Sequence, residues 1–353
     1  MKHAHRHKKQ VTEFIEINSR SCEACWKCIS VCPNKVIGKI DLLWHKHARI
    51  VNVSNCTGCL KCVNICESKA LSKVPIIKGY VMENISELKL GSVQKTLLFP
   101  LWGRAIETQK HKPFLIDNKA VSIINSIPYD FTIITKNISR LVQLAWIARS
   151  IYFDKKIKAF IDLYPEATIV NIGCGLDTTF DRVDNGKIQW LDLDLPDTID
   201  LRKKYISESD RRHFISKSVF DKSWYDSIEN KKNVMLLIAG VLFYFDKSDV
   251  KGLFNDFHTF LSGVEIVFDY ASTKGIEVSN KKVIEKGGMD KSSYLKWGIN
   301  NILEIEKWNS NIKVISHMPM FKEHRKNYSI IERIGMNISD VMKIMSLAHI
   351  KIN

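Results

Sequence analysis

The sequence predicts an α/β fold with a mostly parallel, doubly wound sheet, preceded by a small cysteine-rich domain. Its 353 residues are long for one hydrophobic core and natural for two unequal ones. Eight of the nine cysteines fall between Cys22 and Cys66. From residue 167 onwards, short β-branched or apolar runs alternate with helical patterns, which is typical of a parallel sheet covered on both faces.

The composition is that of a globular protein, with 45% hydrophobic and 26% charged residues. No stretch of the sequence approaches the ~20 apolar residues of a membrane span. The basic N-terminus, MKHAHRHKKQ, has no apolar run behind it, so we expect no secretory signal and a cytoplasmic location. The net charge is +15, but Lys and Arg are spread along the chain, which favours a solvated surface over nucleic-acid binding.

Two runs of four cysteines share the spacing C-x2-C-x2-C-x3-C. In a cytosolic chain of this size, such a density indicates metal binding rather than disulfides. Three cysteines at x2 intervals wrap one tight loop around a cube of iron and sulfide, and the cysteine after x3 ligates the other cluster. The spacing therefore predicts two [4Fe-4S] clusters, the first held by Cys22, Cys25, Cys28 and Cys66, and the second by Cys56, Cys59, Cys62 and Cys32.

With these runs, residues 11–75 resemble the two-cluster ferredoxins of bacteria. Pro33 follows the first run, whereas Glu67 stands where the second run would have its proline. Eight thiolates in this pattern would be an odd zinc site, and the C-x3-C-x2-C run of radical S-adenosylmethionine enzymes is absent. The resemblance implies a small pseudo-twofold α+β domain whose clusters exchange electrons. We expect a connector over residues 76–93, with turns at Gly79 and Gly91, and a large domain over residues 94–353.

A strand, a glycine turn and a second strand form the centre of the predicted large domain. Residues 168–172 are a β-branched run that predicts a buried strand, and Gly173-Cys174-Gly175 follows as a tight turn. About twenty residues later, the run from Gln189 to Pro196 predicts a second strand carrying Asp192 and Asp194. An acid at the tip of that strand can accept both hydroxyls of a ribose, as in nucleoside-binding doubly wound sheets.

Further strands and helices alternate along the rest of the chain. Strands are predicted at residues 212–216, 233–239 and 264–269. Helices are predicted at residues 138–163, 196–207, 247–261 and 294–308. This order argues for parallel strands joined by helical crossovers.

Six segments, in the order of the family's motifs, resemble the leucine carboxyl methyltransferase family, including its bacterial branch of polyketide O-methyltransferases. They are residues 96–107 (TLLFPLWGRAIE), 148–154 (ARSIYFD), 171–177 (NIGCGLD), 193–196 (LDLP), 218–224 (SVFDKSW) and 239–245 (AGVLFYF). The resemblance spans more than half of the chain and implies a Rossmann-like class I methyltransferase that uses S-adenosylmethionine.

The resemblance also implies roles for individual residues. The backbone of Gly173, Cys174 and Gly175 would pass the methionine part of the cofactor. Asp192, in preference to Asp194, would hold the ribose. The remaining cofactor-binding candidates are Arg149 for the carboxylate, Ser218, Val219 and Asp221 around the adenine, and Ala239 in the fourth-strand motif. As alternatives, Arg149 could be a solvated surface residue, Asp221 a helix cap, and Cys174 a packing residue of the turn.

Two departures from the family pattern bear on this site. Asp192 stands where the family commonly has Glu, and Ala239 stands where many members have a Glu that contacts the cofactor. Tyr244 could line the pocket of the methyl acceptor or belong to the core, and no catalytic base can be chosen from the sequence.

These motifs predict an S-adenosylmethionine-dependent methyltransferase acting on a small-molecule carboxylate or hydroxyl, with a fused electron-transfer or redox-sensing module. The clusters could deliver electrons to a bound acceptor, dock a redox partner protein or report redox state. The alternative is an electron-transfer protein whose methyltransferase-like domain only binds a ligand or partner. A nucleic-acid methyltransferase ranks last, because the Asn/Asp-Pro-Pro-Tyr type of motif is absent.

Overall fold

The computed structural model describes residues 10–12, 14–42, 45–73, 92–127, 129, 131, 138–287 and 291–353. The chain divides into two compact units, one made of residues 1–83 and 109–113, the other of residues 84–108 and 114–353. The expected connector falls outside the described residues as far as residue 91, and Ser92 and Val93 already belong to a helix. None of the described helices combines the length and the apolar character needed to cross a membrane.

The small unit is built from short elements around the two cysteine runs. Its elements are β1 (Gln10–Val11), β2 (Ile15–Ile17), α1 (Lys27–Ser30), β3 (Ile37–Leu42), β4 (His45–Ile50), α2 (Lys61–Asn64) and β5 (Leu71–Lys73). The strands form an antiparallel sheet in the order β1-β2-β5 and an antiparallel hairpin, β3-β4. Ile15, Ile17, Val36 and Leu71 are buried in one core with Cys28 and Cys62, so a small α+β domain surrounds the cysteines.

The large unit contains a seven-stranded sheet. Its strands are β6 (Thr168–Ile172), β7 (Gln189–Asp194), β8 (Arg212–Ser216), β9 (Val234–Ile238), β10 (Val264–Ala271), β11 (Ile312–Pro319) and β12 (Met345–Ile352). They lie in the order β11-β12-β10-β9-β6-β7-β8, and β12 is antiparallel to both of its neighbours. The neighbouring pairs from β8 to β10 are parallel. The chain reverses its direction of progress across the sheet between β6 and β9, which is where open α/β sheets bind ligands.

Helices follow or precede most of these strands. They are α3 (Ser92–Thr108), α4 (Asn118–Ser126), α5 (Arg140–Leu163), α6 (Thr179–Val183), α7 (Pro196–Lys203), α8 (Lys247–Phe260), α9 (Thr273–Ser279) and α10 (Ile330–Val341). A π-helical segment, Asn280–Glu285, continues α9. Helix α10 starts with a capping box, in which Ser329 accepts from the Glu332 backbone and the Glu332 side chain accepts from the Ser329 backbone.

Both faces of the sheet are covered, as the continuous apolar strands require. Alternate residues of β6 face opposite cores: Val170 packs with Phe254 and Phe257 of α8, and Ile169 packs with side chains of α5. All five residues of β6 and of β9 are buried. The predicted mostly parallel, doubly wound sheet is therefore confirmed.

The predicted strand bounds agree closely with the structure, but the C-terminal third differs. The expected helix over residues 294–308 is wrong, since only Ile302–Lys307 forms a 3-10 turn within it. The backbone N–H groups of Trp297 and Ile299 donate to Phe243 and Ala271, so this segment is bound to distant parts of the chain instead of coiling on itself. Strands β11 and β12 and helix α10 were not predicted.

Candidate functional site

Four cysteines from both runs line one small cavity in the first unit. They are Cys22, Cys25, Cys28 and Cys66, the set predicted for the first cluster. Cys66 comes from the second run, so the fold itself brings the cross-ligand to the first loop. Within the described ranges, no group of three or more His, Cys, Asp or Glu side chains could hold a single metal ion. A [4Fe-4S] cluster instead surrounds a larger cube of iron and sulfide with its four thiolates.

The two cysteine loops repeat the same backbone conformation at an interval of 34 residues. Positive φ angles occur at three matched pairs of positions: Ala24 (54°) and Gly58 (70°), Trp26 (60°) and Leu60 (57°), and Lys35 (49°) and Lys69 (51°). Such angles are rare for residues other than glycine, so their repetition shows that both loops adopt one constrained shape.

Three of the cysteine sulfurs accept backbone hydrogen bonds. The N–H groups of Ala48, Val36 and Leu71 donate to the Sγ atoms of Cys22, Cys32 and Cys66 at 3.3, 3.4 and 3.4 Å. Donors placed in this way stabilise thiolates that carry a cluster's negative charge. The cysteine sites therefore fit the two predicted clusters.

Burial and neighbouring cysteines raise the pKa of the most buried cysteine of each run. Burial, followed by the proximity of Cys22, Cys66 and Cys25, raises the pKa of Cys28 to about 11. Burial, followed by Cys32 and Cys56, raises the pKa of Cys62 to about 11. Cys32 of the first run is thus close enough to Cys62 to affect its pKa, and its assignment to the second cluster stays a prediction.

The second unit contains a cavity of about 860 Å³ at the carboxyl ends of the central strands. Residues that follow β6, β7 and β9 line it, as expected at the switch point of a doubly wound sheet. Of the predicted cofactor-binding residues, eight line this cavity: Arg149, Gly173, Cys174, Gly175, Asp194, Ser218, Val219 and Ala239. Asp192 and Asp221 do not.

The glycine turn closes tightly on its surroundings. Gly173 and Gly175 have φ angles of +64° and +45°, and a Cβ on Gly173 would lie 2.3 Å from Val241 Cγ2. Asp194 Oδ2 accepts from the Gly175 N–H at 2.8 Å. Cys174 is buried in the turn, and burial raises the pKa of its thiol well above the ordinary range. Cys174 therefore acts as a packing residue whose backbone, rather than its thiol, is available to a ligand.

The preference for Asp192 as the ribose-binding acid is corrected by the structure. Asp192 is fully buried inside β7, where Trp190 Nε1, Arg202 and Arg212 donate to it at 2.9, 2.7 and 2.9 Å. Asp194 lies at the tip of β7 and lines the cavity. Burial raises the pKa of Asp194, although the N–H groups of Gly175 and Leu195 oppose this. Of the two acids, Asp194 is the one whose side chain is accessible from the cavity.

Asp221 is the second correction. Its carboxylate accepts from the backbone N–H of Ser223 at 3.0 Å and from Ser223 Oγ at 2.6 Å, and it caps a 3-10 turn at Lys222–Ser227. The same turn holds Trp224, whose Nε1 donates to the Val219 carbonyl at 3.0 Å. The segment therefore positions Val219 and Ser218 at the cavity, while Asp221 stabilises the turn.

Arg149 lies at the cavity and is paired within the protein. Its Nη1 donates to Asp269 Oδ2 at 2.7 Å, and Asp269 Oδ1 accepts from the Gly240 N–H at 2.7 Å. Gly240 has a φ of +75°, and a Cβ there would lie 2.8 Å from Arg149 Nη1. Asp269, which the sequence did not single out, thus joins Arg149 to the turn after β9.

A buried charge network below the glycine turn was also missed. Asp117 accepts from Arg104 and Arg182 at 2.8 and 2.7 Å, and Arg182 makes a bidentate pair with Asp154 at 2.8 and 2.9 Å. Asp177, which follows the turn, lies 3.7 Å from Arg104. Burial alone would raise the pKa of Asp177, but the charges of Arg104 and Arg182 outweigh burial and lower it. These residues lie within or near the resembling segments, but nothing in the sequence pairs them.

The rest of the cavity wall is mainly apolar. It includes Phe99, Trp146, Phe243, Tyr244, Phe245, Phe321, Ile338 and Met342. Tyr244 therefore faces the cavity, one of its two predicted roles. Burial raises the pKa of Tyr244, although a hydrogen bond with Thr96 opposes this, so the phenol is neutral at physiological pH. Lys282 of the π-helical segment supplies positive charge at the same wall, where Lys296 is paired with Asp246 at 3.3 Å.

Comparisons with known families agree with this geometry. Residues 14–67 match the model of the 4Fe-4S dicluster domain. Residues 98–258 match the model of leucine carboxyl methyltransferase. The first range contains all eight cluster cysteines, and the second contains the glycine turn, Asp194 and the turn after β9.

Two curated proteins are similar to this chain. The tetracenomycin polyketide synthesis O-methyltransferase TcmP of Streptomyces glaucescens is 29% identical over 163 residues, covering 46% of this chain and 60% of that protein. The S-adenosyl-L-methionine-dependent methyltransferase dpfgK of Gibberella zeae is 23% identical over 279 residues, covering 73% of this chain and 93% of that protein. Among solved structures, a DUF574 family protein of Streptomyces avermitilis matches with 12% identity and a TM-score of 0.47, covering 71% of this chain and 97% of that one.

Proposed function

We propose that the chain, whose residues 14–67 match the 4Fe-4S dicluster domain and whose residues 98–258 match leucine carboxyl methyltransferase, is an S-adenosylmethionine-dependent methyltransferase that methylates an oxygen atom of a small molecule. The observation that carries this proposal is the joint position of the glycine turn, Asp194 and Arg149 at one cavity. S-adenosylmethionine, when bound, supplies a methyl group on a positively charged sulfur, and the protein's task is to align the acceptor and exclude water.

The residues of the cavity can divide the binding of this cofactor between them. The backbone of residues 173–175 would carry the methionine part, with Arg149 beside it for the carboxylate. Asp194 would accept from the ribose hydroxyls, and Ser218 and Val219 would border the adenine. Ala239 would contribute only its backbone and methyl group, because its side chain has no polar atom.

The acceptor is an apolar or aromatic molecule with a carboxylate or hydroxyl. The wall around Phe243, Tyr244 and Trp146 provides apolar contact area, and Lys282 favours a carboxylate through its charge. A carboxylate needs no general base for methyl transfer, whereas a hydroxyl does. TcmP carries O-methyltransferase in its name, which is consistent with an oxygen acceptor here.

We assign the small domain an electron-transfer or redox-sensing role. Two bound clusters supply one-electron chemistry, and a redox partner protein is then an expected partner. The exposed Lys27–Glu67 pair, at 2.6 Å, joins the two repeats at the surface, so the departure from proline at position 67 serves the contact between the two cysteine runs.

The deciding experiment is anaerobic calorimetry of S-adenosylmethionine binding to the protein with reconstituted clusters. Micromolar affinity, together with methyl transfer to members of a panel of aromatic carboxylic acids and phenols detected by mass spectrometry, is expected. Absence of binding would refute the proposal and favour an electron-transfer or docking protein. Repeating the titration after dithionite reduction tests redox sensing, because a sensor must bind with different affinity in its two states.

A control variant separates cofactor binding from acceptor recognition. Lys282→Met should raise the KM of carboxylate acceptors and leave the KM of S-adenosylmethionine unchanged, because Lys282 lies on the acceptor wall. An equal change in both KM values would contradict this division of the cavity.

A further inference from the structure

Arg202 is a fully buried arginine that donates hydrogen bonds to the backbone of the glycine turn. From helix α7, its Nη1 donates to the carbonyl oxygens of Gly175 at 2.7 Å and Cys174 at 3.5 Å. Its Nη2 donates to the carbonyl of Asp177 at 2.9 Å. Arg202 does not line the cavity, so its contact with the site runs only through the backbone of the turn.

Asp192 balances this buried charge. Arg202 Nη2 donates to Asp192 Oδ2 at 2.7 Å, and the Asn171 amide donates to Asp192 Oδ1 at 3.0 Å. Burial alone would lower the pKa of Arg202, but the carboxylates of Asp192 and Asp177 raise it, so the guanidinium stays charged. A buried cation without such a partner would be strongly destabilising. Asp192 therefore holds the guanidinium where it meets the carbonyls.

The Cys174 carbonyl also accepts from the Asp177 N–H at 2.8 Å, so the close contacts of Arg202 are those with the carbonyls of Gly175 and Asp177. The N–H groups of Gly173 and Cys174 donate to the Leu193 carbonyl, and the Gly175 N–H donates to Asp194. Buried backbone carbonyls need hydrogen-bond donors, and residues 174–177 belong to neither a helix nor a strand. Arg202 supplies donors to three residues of this turn at once, which a lysine could not do with a fixed planar geometry.

We propose that Arg202, oriented by Asp192, is a positioning residue that fixes the glycine turn in the conformation that binds S-adenosylmethionine. This inference rests on the proposed function. It gives Asp192 a role different from ribose binding, since the acid acts through Arg202. A preformed turn binds its ligand without spending free energy on ordering the loop, so loosening the turn should weaken cofactor binding specifically.

Arg212 provides a matched control. It donates from Nε to the same Asp192 Oδ2 at 2.9 Å and is buried to a similar extent, but it bonds to Asp181 rather than to the turn. Arg202→Met and Arg212→Met each remove one buried cation from Asp192. Only Arg202→Met removes the guanidinium donors from the carbonyls of Gly175 and Asp177.

The test compares the wild type, Arg202→Met, Arg202→Lys and Arg212→Met by anaerobic calorimetry with S-adenosylmethionine. We expect the Kd to rise about tenfold or more in both Arg202 variants, which corresponds to about 1.4 kcal/mol. The Kd of Arg212→Met should stay within about twofold of the wild type, since the turn keeps its donors. In steady state, the KM of S-adenosylmethionine should rise in the Arg202 variants while the KM of the acceptor does not.

Hydrogen exchange at the amides of residues 173–177 gives a second measurement that needs no ligand. Faster exchange in Arg202→Lys than in Arg212→Met supports the inference. This comparison does not depend on Arg202→Met and therefore remains valid if that variant fails to fold. Equal changes of Kd and of exchange in the Arg202 and Arg212 variants would overturn it and leave Arg202 as an ordinary buried ion-pair residue. If the wild type itself does not bind S-adenosylmethionine, the proposed function fails, and the exchange measurement still decides whether Arg202 fixes the turn.

Discussion

Replacing Gly173 with alanine tests the glycine turn at its tightest point. The φ angle of +64° costs an L-residue about 1–2 kcal/mol. A Cβ at this position would also lie 2.3 Å from Val241 Cγ2, far inside the usual contact distance. Overpacking of this kind costs a further ~1–3 kcal/mol. We therefore expect Gly173→Ala to lower the free energy of unfolding by about 2–5 kcal/mol.

Two further variants separate the two contributions. Gly186 has a φ of +81° with nothing within 4 Å of its ideal Cβ, so Gly186→Ala carries the backbone cost alone. It should lower the free energy of unfolding by about 1–2 kcal/mol. Val241→Ala removes the methyl groups that meet the new Cβ, so the double variant Gly173→Ala/Val241→Ala should recover most of the overpacking cost. Val241→Ala alone completes the double-mutant cycle.

The assay is anaerobic urea unfolding followed by tryptophan fluorescence, with S-adenosylmethionine affinity measured on the same samples. The coupling between positions 173 and 241 should be favourable by at least about 1 kcal/mol, since the clash exists only when both side chains are present. Cofactor affinity should fall in Gly173→Ala and not in Gly186→Ala. The reasoning is refuted if Gly173→Ala costs no more than Gly186→Ala, or if Val241→Ala gives no relief.

Three other variants test the charged and metal-binding groups. Cys66→Ser should reduce the iron content of the purified protein to about half, because one cluster loses a ligand and the other keeps all four; loss of Cys66 without loss of iron would argue against cross-ligation. Asp194→Asn should weaken S-adenosylmethionine binding roughly 10- to 100-fold, since hydrogen bonds to a charged acceptor contribute about 1.5–3 kcal/mol. Because burial raises the pKa of Asp194, the wild type should also lose stability relative to this variant as the pH rises from below 3.8 through the folded pKa, which urea unfolding at several pH values would check. Asp117→Asn should cost about 3–5 kcal/mol at neutral pH by breaking its pairs with Arg104 and Arg182. Although burial opposes it, these arginines lower the pKa of Asp117, so the cost should shrink as the pH falls below 3.8 towards the folded pKa, and a cost that does not change with pH would contradict the pairing.

The cluster site could be predicted from the sequence because the spacing of nearby cysteines determines which of them can bind one cluster. An interval of two residues brings three cysteines onto one loop, and the fourth follows a fixed rule. In the structure, positions 34 residues apart have matching positive φ angles, such as those of Trp26 and Leu60. The parallel strands β6 to β10 were predictable for a related reason, since continuous apolar runs leave little ambiguity about burial.

The C-terminal part of the large domain was not predictable in this way. Trp297, Ile302, Ile305 and Trp308 recur at intervals close to those of a helix, and all but Trp308 are buried. Their segment is nevertheless held by hydrogen bonds to Phe243 and Ala271, which are far away in the sequence. Periodicity reports which residues are buried, but it cannot report which distant backbone groups will bind them.

The sequence favoured Asp192 over Asp194 because periodicity does not show which of the two acids lies at the end of the strand. Asp192 and Asp194 point to the same face of β7, because side chains two residues apart share a face. Only Asp194 lies beyond Leu193, the last residue of β7 that is paired with β6, and so reaches the ligand side of the sheet. Arg202 belongs to a run of basic residues that would ordinarily be solvated, so the sequence alone gave no reason to expect a buried partner for Asp192.

Ala239 departs from the family pattern, in which many members have a Glu that contacts the cofactor, and a neighbouring carboxylate takes part of that place. Asp269 on the neighbouring strand β10 supplies a carboxylate at the same turn, where it accepts from both Gly240 and Arg149. The carboxylate thus comes from the next strand rather than from position 239. Arg149 gives Asp269 one nitrogen, and a guanidinium carries five N–H donors, so it retains donors for a second carboxylate. Asp269→Asn should therefore weaken cofactor binding through Arg149 and the Gly240 turn together. An unchanged affinity in calorimetry would show that the loss of Glu at position 239 is not compensated in this way.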